Sequence, residues 1–126
     1  MEQQEIILMI GSNHNQGENI ANAQKALQAL FGNIHFTECM WTEPIGIDSV
    51  LFLNCAARAT TTMSVDETVR QLKAIEQEAG STAELRKQGI IDMDIDLLLY
   101  GKEKLHEDDW DREYVKELVG MLGVRC

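Results

Sequence analysis

The sequence has little of what marks several large protein classes. It contains one proline, Pro44, and three cysteines, Cys39, Cys55 and Cys126, in 126 residues. So little proline excludes collagen-like chains and proline-rich disordered chains. The cysteines are odd in number, widely separated and without a C-x-x-C pair, so they predict neither a disulfide framework nor a zinc site. Reduced thiols in a cytoplasmic protein are the simplest interpretation.

The chain is also poor in basic residues. It has 11 Lys and Arg against 21 Asp and Glu, which gives a formal net charge of -10 at pH 7. Such a field repels the phosphate backbone of nucleic acids and anionic lipid surfaces, so we expect neither as a partner. A small anionic substrate stays compatible with this charge where local bases or a metal ion hold it.

Long apolar runs are missing as well. No run approaches the ~18 residues that a membrane helix needs, and residues 1–5 are polar and acidic, unlike the start of a secretory signal. Hydrophobic residues make up 44% of the chain, which is enough for one buried core. We therefore expect one globular domain over residues 1–126, with a monomer as the default oligomeric state.

Hydrophobic periodicity predicts a sequence of short strands and two helices. The second helix begins with a capping box, in which Glu67 follows Ser64 by three residues. Short runs of β-forming residues bounded by glycine or polar residues predict the strands. The expected elements are a strand over 6–10, a helix from about 18 to 32, strands over 34–41 and 51–62, a helix over 64–80, a polar and mobile segment over 81–89, a strand over 90–100 and a further helix over 110–122.

This order, β-α-β-β-α-β with a tail, is typical of the ferredoxin-like α+β fold. Such a fold has an antiparallel sheet with both helices on one face. The sequence therefore predicts that the other face of the sheet is left for a site, with a helical tail at the C-terminal end.

The last strand carries the most informative pattern. Side chains alternate between the two faces of a strand, so Asp92, Asp94 and Asp96 fall together on the face opposite Ile95 and Leu97. Aspartate is a poor strand former, and three in register repel one another unless a positive charge lies over them. Mg²⁺ takes one or two carboxylates together with substrate phosphates, which fits this row. A solvated or edge-protecting strand face is the alternative, and spacing alone does not decide between them.

The other polar features are weaker. The turn Gly11-Ser12-Asn13 lies between a strand and a helix, but it lacks a glycine-rich phosphate-binding motif, so a plain polar turn is the favoured interpretation. The three histidines have no partners at metal-ligand spacing, and we expect no role in a site for His14, His35 or His106.

Taken together, these residues resemble the 6-hydroxymethyl-7,8-dihydropterin pyrophosphokinase family of folate biosynthesis. The resemblance covers about residues 5–122, and its most specific part is the strand with two aspartates followed by Gly101. The motifs that carry it are Ile10-Gly11-Ser12-Asn13, Thr42-Glu43-Pro44-Ile45-Gly46, Phe52-Leu53-Asn54-Cys55-Ala56, Ile75-Glu76, and Gly89 through Asp94-Ile95-Asp96-Leu97-Leu98-Leu99-Tyr100-Gly101.

The resemblance implies an activity and a set of site residues. The family transfers pyrophosphate from ATP to the hydroxymethyl group of the pterin and leaves AMP, and its two strand aspartates bind two Mg²⁺ ions. By that resemblance Asp94 and Asp96 are metal ligands and catalytic residues, together with Lys87 and Arg112. It further implies a pterin site formed by Thr42, Ile45, Phe52, Asn54 and Tyr114. It also implies nucleotide contacts from Lys73, Glu76 and Leu97.

The chain departs from the family at positions near the nucleotide. Ser81, Ala83 and Ile91 stand where the family carries arginines, and Gln88 stands where it carries an aromatic residue. Three hypotheses follow. The chain is an active enzyme whose missing charges are supplied by other bases, a weakened paralogue that binds a pterin, a nucleotide or a partner protein without turnover, or an unrelated ferredoxin-like module. The bases available for the first hypothesis are Lys73, Arg86, Lys87 and Arg112.

Overall fold

The chain forms one antiparallel sheet with helices on both faces. The computed structural model describes residues 2–46 and 48–123, so Met1, Ile47 and residues 124–126 lie outside the described residues, and with them the third predicted thiol, Cys126. The strands are β1 (Gln4–Ser12), β2 (His35–Phe36), β3 (Met40–Thr42), β4 (Phe52–Thr61), β5 (Asp94–Tyr100) and β6 (Glu103–Lys104). The helices are α1 (Gln16–Phe31), α2 (Val65–Glu78), α3 (Ala83–Lys87) and α4 (Glu113–Met121), with a 3-10 turn over Glu107–Asp111.

The strand order confirms the predicted ferredoxin-like fold. The sheet runs β2-β4-β1-β5-β6, and β3 pairs with β4 on the same edge as β2. All pairings are antiparallel, with β1 at the centre between β4 and β5. The predicted capping box is present, since the Ser64 side chain accepts a hydrogen bond from the Glu67 N–H at the start of α2.

Alternation along β1 divides the interior into two clusters. Ile6, Leu8 and Ile10 face α1 and α2, where Leu27 and Leu72 complete the main core. The intervening residues of β1 face the other way and pack against α4, in a second cluster that contains Ile7, Met9, Val115, Leu118 and Val119. Because α4 covers only part of that second face, the end of the sheet near Ser12 stays open for a site.

The strand predicted over 34–41 is two short strands instead. β2 and β3 pair with different parts of β4, and Thr37 lies in the break between them. The Thr37 N–H donates to the Ala56 carbonyl at 2.9 Å, and the Thr37 hydroxyl accepts from the Ala56 N–H at 2.9 Å. A side-chain hydroxyl therefore replaces a carbonyl of the ladder, which ends regular pairing at this point.

The last strand is shorter than predicted. β5 begins at Asp94 rather than at residue 90, so the expected row of three aspartates contains two. Asp92 precedes the strand, and its Oδ1 lies 2.6 Å from Nδ1 of His14. A register shift opposite Ile7 and Leu8 then places Leu99 with the second cluster and not, as strict alternation predicts, with the main core.

Two segments differ from the predicted helix pattern. The segment 81–89, expected to be a mobile loop, contains α3, which Thr82 caps by accepting a hydrogen bond from the Leu85 N–H at 3.2 Å. A helix of five residues is too short to show apolar periodicity in a sequence. The tail helix predicted over 110–122 is a 3-10 turn followed by α4.

Candidate active site

Three strands bring polar side chains to the open end of the second face. Gly11 of β1 is in register with Asn54 of β4 on one side and with Asp94 of β5 on the other. Two residues earlier in β1, Met9 is in register with Asp96. The two aspartates and the asparagine therefore lie on one surface, separated by a glycine that has no side chain to cover it.

A cavity of about 180 Å³ opens above this glycine. We call it the aromatic cavity, because Phe52 and Tyr114 contribute its two aromatic side chains. All five residues that the resemblance assigns to the pterin line it, together with both aspartates, and its lining residues are Met9, Gly11, Thr42, Glu43, Ile45, Phe52, Asn54, Ile91, Asp94, Asp96, Asp109, Arg112 and Tyr114. The sequence-derived residues thus meet in one place, although their binding role stays a prediction.

The amide of Asn54 is fixed in orientation. Its Nδ2 donates to Oγ1 of Thr42 at 2.5 Å, and the residue is 5% exposed. The pairing of β3 with β4 holds these two residues on adjacent strands. With the amino group engaged by Thr42, the amide oxygen is available as an acceptor beside the aromatic cavity.

The 3-10 turn and α4 supply the opposite wall. Burial raises the pKa of Tyr114, and the neighbouring Arg112 acts in the opposite direction through a hydrogen bond and its charge. Arg112 Nη2 lies 3.4 Å from Oδ1 of Asp109. The sequence does not single out Asp109, because it stands in an acidic run that gives no sign of which carboxylate turns inward.

The negative charge of Asp94 opposes ionisation of the neighbouring Asp96. Burial, followed by the charge of Asp94 and a hydrogen bond between the two carboxyl groups, raises the pKa of Asp96 to about 8. Within the described part of the chain, no group of three or more His, Cys, Asp or Glu side chains is arranged to hold a metal ion. Two hard oxygen ligands beside an open cavity nevertheless fit Mg²⁺, which completes its shell with water and substrate phosphates.

A second cavity, of about 410 Å³, runs beside the part of β5 that does not pair with β6. We call it the edge cavity. It is lined by residues of α2, α3 and β5 and by one histidine: Val69, Leu72, Lys73, Glu76, Arg86, Asp94, Ile95, Asp96, Leu97 and His106. Asp94 and Asp96 line both cavities, so the carboxylate pair stands where the two meet. All three residues predicted to contact the nucleotide, Lys73, Glu76 and Leu97, border the edge cavity.

Glu76 is the best-anchored carboxylate of the edge cavity. Its Oε2 accepts a hydrogen bond from the Ile95 N–H at 2.7 Å, and its side chain is 12% exposed. Burial raises the pKa of Glu76, and the hydrogen bond from Ile95 partly offsets this. The predicted nucleotide residue Leu97 borders the same cavity, but it is 2% exposed and belongs to the main core.

Arg86, rather than Lys87, has the contacts expected of a cationic site residue in this segment. Lys87 is exposed and lines neither of the two cavities. Arg86 reaches Asp94 and Glu76 with its guanidinium group. His106 also lines the edge cavity, where the sequence predicts no role for it. Its positive φ of 51° places it in a turn, and such a position leaves no periodic signal in the sequence.

Asn13 ties the segment before β5 to the end of β1. Its Nδ2 donates to the Gly89 carbonyl at 2.7 Å, and its Oδ1 accepts from the Ile91 N–H at 2.7 Å. The residue is 5% exposed. Both functions of the amide are therefore used within the chain, which agrees with the interpretation of Gly11-Ser12-Asn13 as a polar turn and not as a phosphate-binding loop.

We expect Asn13→Ala to lower the free energy of unfolding by about 2–4 kcal/mol, because it leaves two partly buried backbone groups without partners. Asn13→Asp keeps the acceptor for Ile91 but faces the Gly89 carbonyl with a second acceptor, so it should also destabilise. Denaturant unfolding checks both values. Asn19→Ala is the matched control, since its amide donates to the His14 carbonyl in an exposed hydrogen bond. A loss from Asn19→Ala equal to that from Asn13→Ala would contradict the anchoring role.

Two further findings bear on the class of protein. Of the helices in residues 2–46 and 48–123, none has the length and apolar character to cross a membrane.

Cys39 is exposed, Cys55 is buried, and both are free thiols. Burial raises the pKa of Cys55 to about 12, so this thiol stays protonated and unreactive.

Comparison with known proteins bears on the identity of the site. A folate synthesis bifunctional protein from Arabidopsis thaliana is 33% identical over 134 residues, covering 95% of this chain and 27% of the relative. A mitochondrial folate synthesis bifunctional protein from Pisum sativum is 33% identical over 136 residues, covering 97% of this chain and 26% of the relative. The chain thus spans about a quarter of the length of these relatives.

The family comparison covers nearly all of the chain. The model of the 7,8-dihydro-6-hydroxymethylpterin-pyrophosphokinase family matches residues 7–122, which include every residue of both cavities. The sheet topology, the paired aspartates and the residues around the aromatic cavity agree with the resemblance found in the sequence. The chain belongs to the 7,8-dihydro-6-hydroxymethylpterin-pyrophosphokinase family.

Proposed function

We propose that this chain transfers the pyrophosphoryl group of ATP to the hydroxymethyl group of 6-hydroxymethyl-7,8-dihydropterin in folate biosynthesis, with AMP as the second product. The observation that carries the proposal is the position of Asp94 and Asp96, which line both cavities. One cavity offers aromatic and amide groups, and the other offers cationic side chains. Two substrates bound in these cavities would meet at the carboxylate pair.

The aromatic cavity suits a flat heterocycle. Phe52 and Tyr114 provide aromatic faces for stacking. Asn54 offers an amide oxygen in a fixed orientation, since Thr42 holds its amino group. A pterin has both donors and acceptors along one edge of its ring, so an oriented amide provides recognition that stacking alone does not.

The edge cavity suits the phosphates of a nucleotide. Lys73 and Arg86 line it, and His106 stands in the same wall. Lys73 and Arg86 would compensate in part for the arginines that Ser81, Ala83 and Ile91 replace. Because Arg86 and Asp94 are in contact, cationic and anionic groups meet where the transferred group would lie.

Asp94 and Asp96 would hold Mg²⁺ in this reaction. When bound, Mg²⁺ neutralises charge on the phosphates and helps to align them for an in-line displacement. The carboxylates give the site its hard oxygen ligands, and the surrounding walls orient both substrates. Positioning and charge neutralisation are the main demands of phosphoryl-type transfer. The missing arginines are therefore expected to lower the rate without abolishing it.

A weakened paralogue that binds without turnover is the second candidate. Ile91 favours it, because this apolar side chain lines the aromatic cavity where the family carries an arginine. Under this alternative the pterin contacts persist and the phosphate contacts are too few. The two candidates differ in whether AMP appears, and both predict a ligand that stabilises the folded chain.

A thermal-shift panel combined with an AMP assay tests the proposal. The ligands are the pterin alone, a Mg²⁺ complex of a non-hydrolysable ATP analogue alone, and both together. A ligand at a hundredfold excess over its dissociation constant stabilises the folded state by ~2.7 kcal/mol, which gives a measurable shift in Tm. We expect shifts with each ligand and Mg²⁺-dependent AMP formation from ATP and the pterin.

Each other outcome has a clear meaning. A pterin shift without AMP would support the paralogue that only binds. No shift with any of the three ligand sets would contradict both candidates and leave the charged strand face as a solvated surface.

The same samples report the oligomeric state by light scattering, for which we propose a monomer. For the compartment we propose the cytoplasm, which localisation of the full-length protein in cells would test.

A further inference from the structure

The guanidinium group of Arg86 occupies the junction between Glu76 and Asp94. Its Nη2 lies 3.2 Å from the Met93 carbonyl, 3.4 Å from Oδ1 of Asp94 and 3.6 Å from Oε1 of Glu76. This nitrogen thus donates to two acceptors, the one on Asp94 at a long distance, and forms an ion pair with Glu76 that is too long for a hydrogen bond. The side chain is 35% exposed and lines the edge cavity. These contacts are sufficient to place the charge but too long to lock it there.

The position of Arg86 conflicts with metal binding at Asp94. A divalent cation on that carboxylate would stand within a few ångströms of a guanidinium group that contacts Oδ1 of the same carboxylate. Two positive charges at that separation repel each other, to a degree limited by the partial exposure of both side chains. The metal and the guanidinium group are therefore alternative partners of Asp94.

The backbone around Arg86 is anchored, so only its side chain needs to move. Thr82 caps the start of α3, and the Ile90 N–H donates to the Leu85 carbonyl at 2.9 Å. The Asn13 amide holds the Gly89 carbonyl on the other side. Rotation about the long arginine side chain moves the guanidinium group along the edge cavity without disturbing α3.

We propose that Arg86 is the resident counter-ion of Asp94 and that the metal replaces it, which frees the guanidinium group to contact the phosphates of the nucleotide. The inference rests on the proposed function, since it places the metal and the nucleotide at this site. Arg86 is a positioning residue in the metal-free chain and a phosphate ligand once the metal is bound. A planar guanidinium group suits both carboxylate and phosphate partners.

The exchange predicts opposite effects of one substitution on two ligands. Removing the competing charge in Arg86→Gln should raise the affinity for Mn²⁺ alone by about two- to fivefold, the range expected for a half-exposed ion pair. The same variant should bind the Mg²⁺ complex of a non-hydrolysable ATP analogue about tenfold more weakly, because it lacks a charged hydrogen bond to phosphate. A residue with a merely structural role would weaken both.

Electron paramagnetic resonance of free Mn²⁺ measures the first effect, and calorimetry measures the second. The matched control is Arg70→Gln, which removes the same charge from an exposed pair with Glu67 on α2. It should change neither affinity. Arg86→Lys keeps the charge without the planar donors, so it should bind Mn²⁺ nearly as the unchanged chain does and bind the nucleotide analogue more weakly. Thermal unfolding in EDTA verifies that each variant is folded.

The outcomes separate this inference from the proposed function. Equal or weaker Mn²⁺ binding by Arg86→Gln, in a chain that forms AMP, would overturn the exchange and leave the proposed function intact. A chain that binds Mn²⁺ but forms no AMP, with the opposite shifts in Arg86→Gln, would support the exchange within the binding-only paralogue. Absence of Mn²⁺ binding by the unchanged chain would overturn the exchange, and AMP formation by that same chain would still decide the proposed function.

Discussion

Asp96→Asn should abolish most of the activity and yet stabilise the metal-free chain. Replacing one of the two carboxylates that we propose hold the metal by an amide should lower kcat/KM for AMP formation by about 10²–10³ or more, the loss typical of removing a group that stabilises transition-state charge. The same change removes a carboxyl group whose ionisation is opposed by burial and by Asp94. Steady-state kinetics and denaturant unfolding in EDTA measure the two effects on one protein preparation.

The stabilisation should depend on pH in a defined window. Because the pKa of Asp96 is raised from 3.8 to about 8 in the folded chain, the folded state binds more protons than the unfolded state between these values. Stability contributed by the protonated form is therefore complete below pH 4 and is lost as the pH rises towards 8. The Asp96→Asn variant lacks this loss, so its free energy of unfolding should nearly equal that of the unchanged chain at pH 4 and exceed it by about 1–3 kcal/mol at pH 8.

Asp108→Asn is the control for the loss of one negative charge. Asp108 is exposed in the 3-10 turn, and its removal should leave kcat/KM and the pH dependence of unfolding nearly unchanged. An Asp96→Asn variant that loses stability at pH 8 would show that the carboxylates are satisfied without a cation. Retained activity in that variant would contradict the assignment of Asp96 as a metal ligand.

Local sequence patterns were sufficient for the fold because they agree with one another. Strand alternation around Ile95, helical periodicity and the capping box at Ser64 all point to the same β-α-β-β-α-β order, and the structure confirms it. The departures have a common cause. The break at Thr37 and the late start of β5 at Asp94 depend on hydrogen bonds with Ala56 and Asn13, which are distant in sequence. No pattern within a single segment contains that information.

The candidate site was predictable in part, and for two different reasons. Strand alternation alone pairs Asp94 with Asp96, whereas the residues of the aromatic cavity were expected only through the family resemblance. The choice of Arg86 over Lys87 depends on how a five-residue helix is oriented. The inclusion of His106 depends on a left-handed turn. Both are details of tertiary structure, and residue type by itself does not reveal them.

Gly11→Ala should weaken pterin binding strongly and lower the stability somewhat, while the chain stays folded. A Cβ at this position would lie 2.7 Å from Oδ1 of Asn54 and 3.8 Å from Cδ2 of Phe52. Because Thr42 holds the Asn54 amide, the clash must either break that hydrogen bond or push the amide into the aromatic cavity. We expect KM for the pterin to rise by about 10- to 100-fold, as when a buried polar contact and a shaped pocket are lost together. The affinity for the Mg²⁺ nucleotide complex should change little.

Gly17→Ala is the matched control for this substitution. Gly17 lies in α1, and a Cβ added there would have no neighbouring atom within 4 Å. Alanine should therefore add about 0.5–1 kcal/mol of stability through helix propensity and leave both substrates unaffected. Calorimetric titration of pterin and nucleotide analogue into each variant distinguishes the two cavities. Weaker nucleotide binding with unchanged pterin binding in Gly11→Ala would mean that the two substrates occupy the opposite cavities. Since Gly11 separates Asn54 from Asp94, its missing side chain leaves the space between the amide and the carboxylate pair that the proposed pterin site needs.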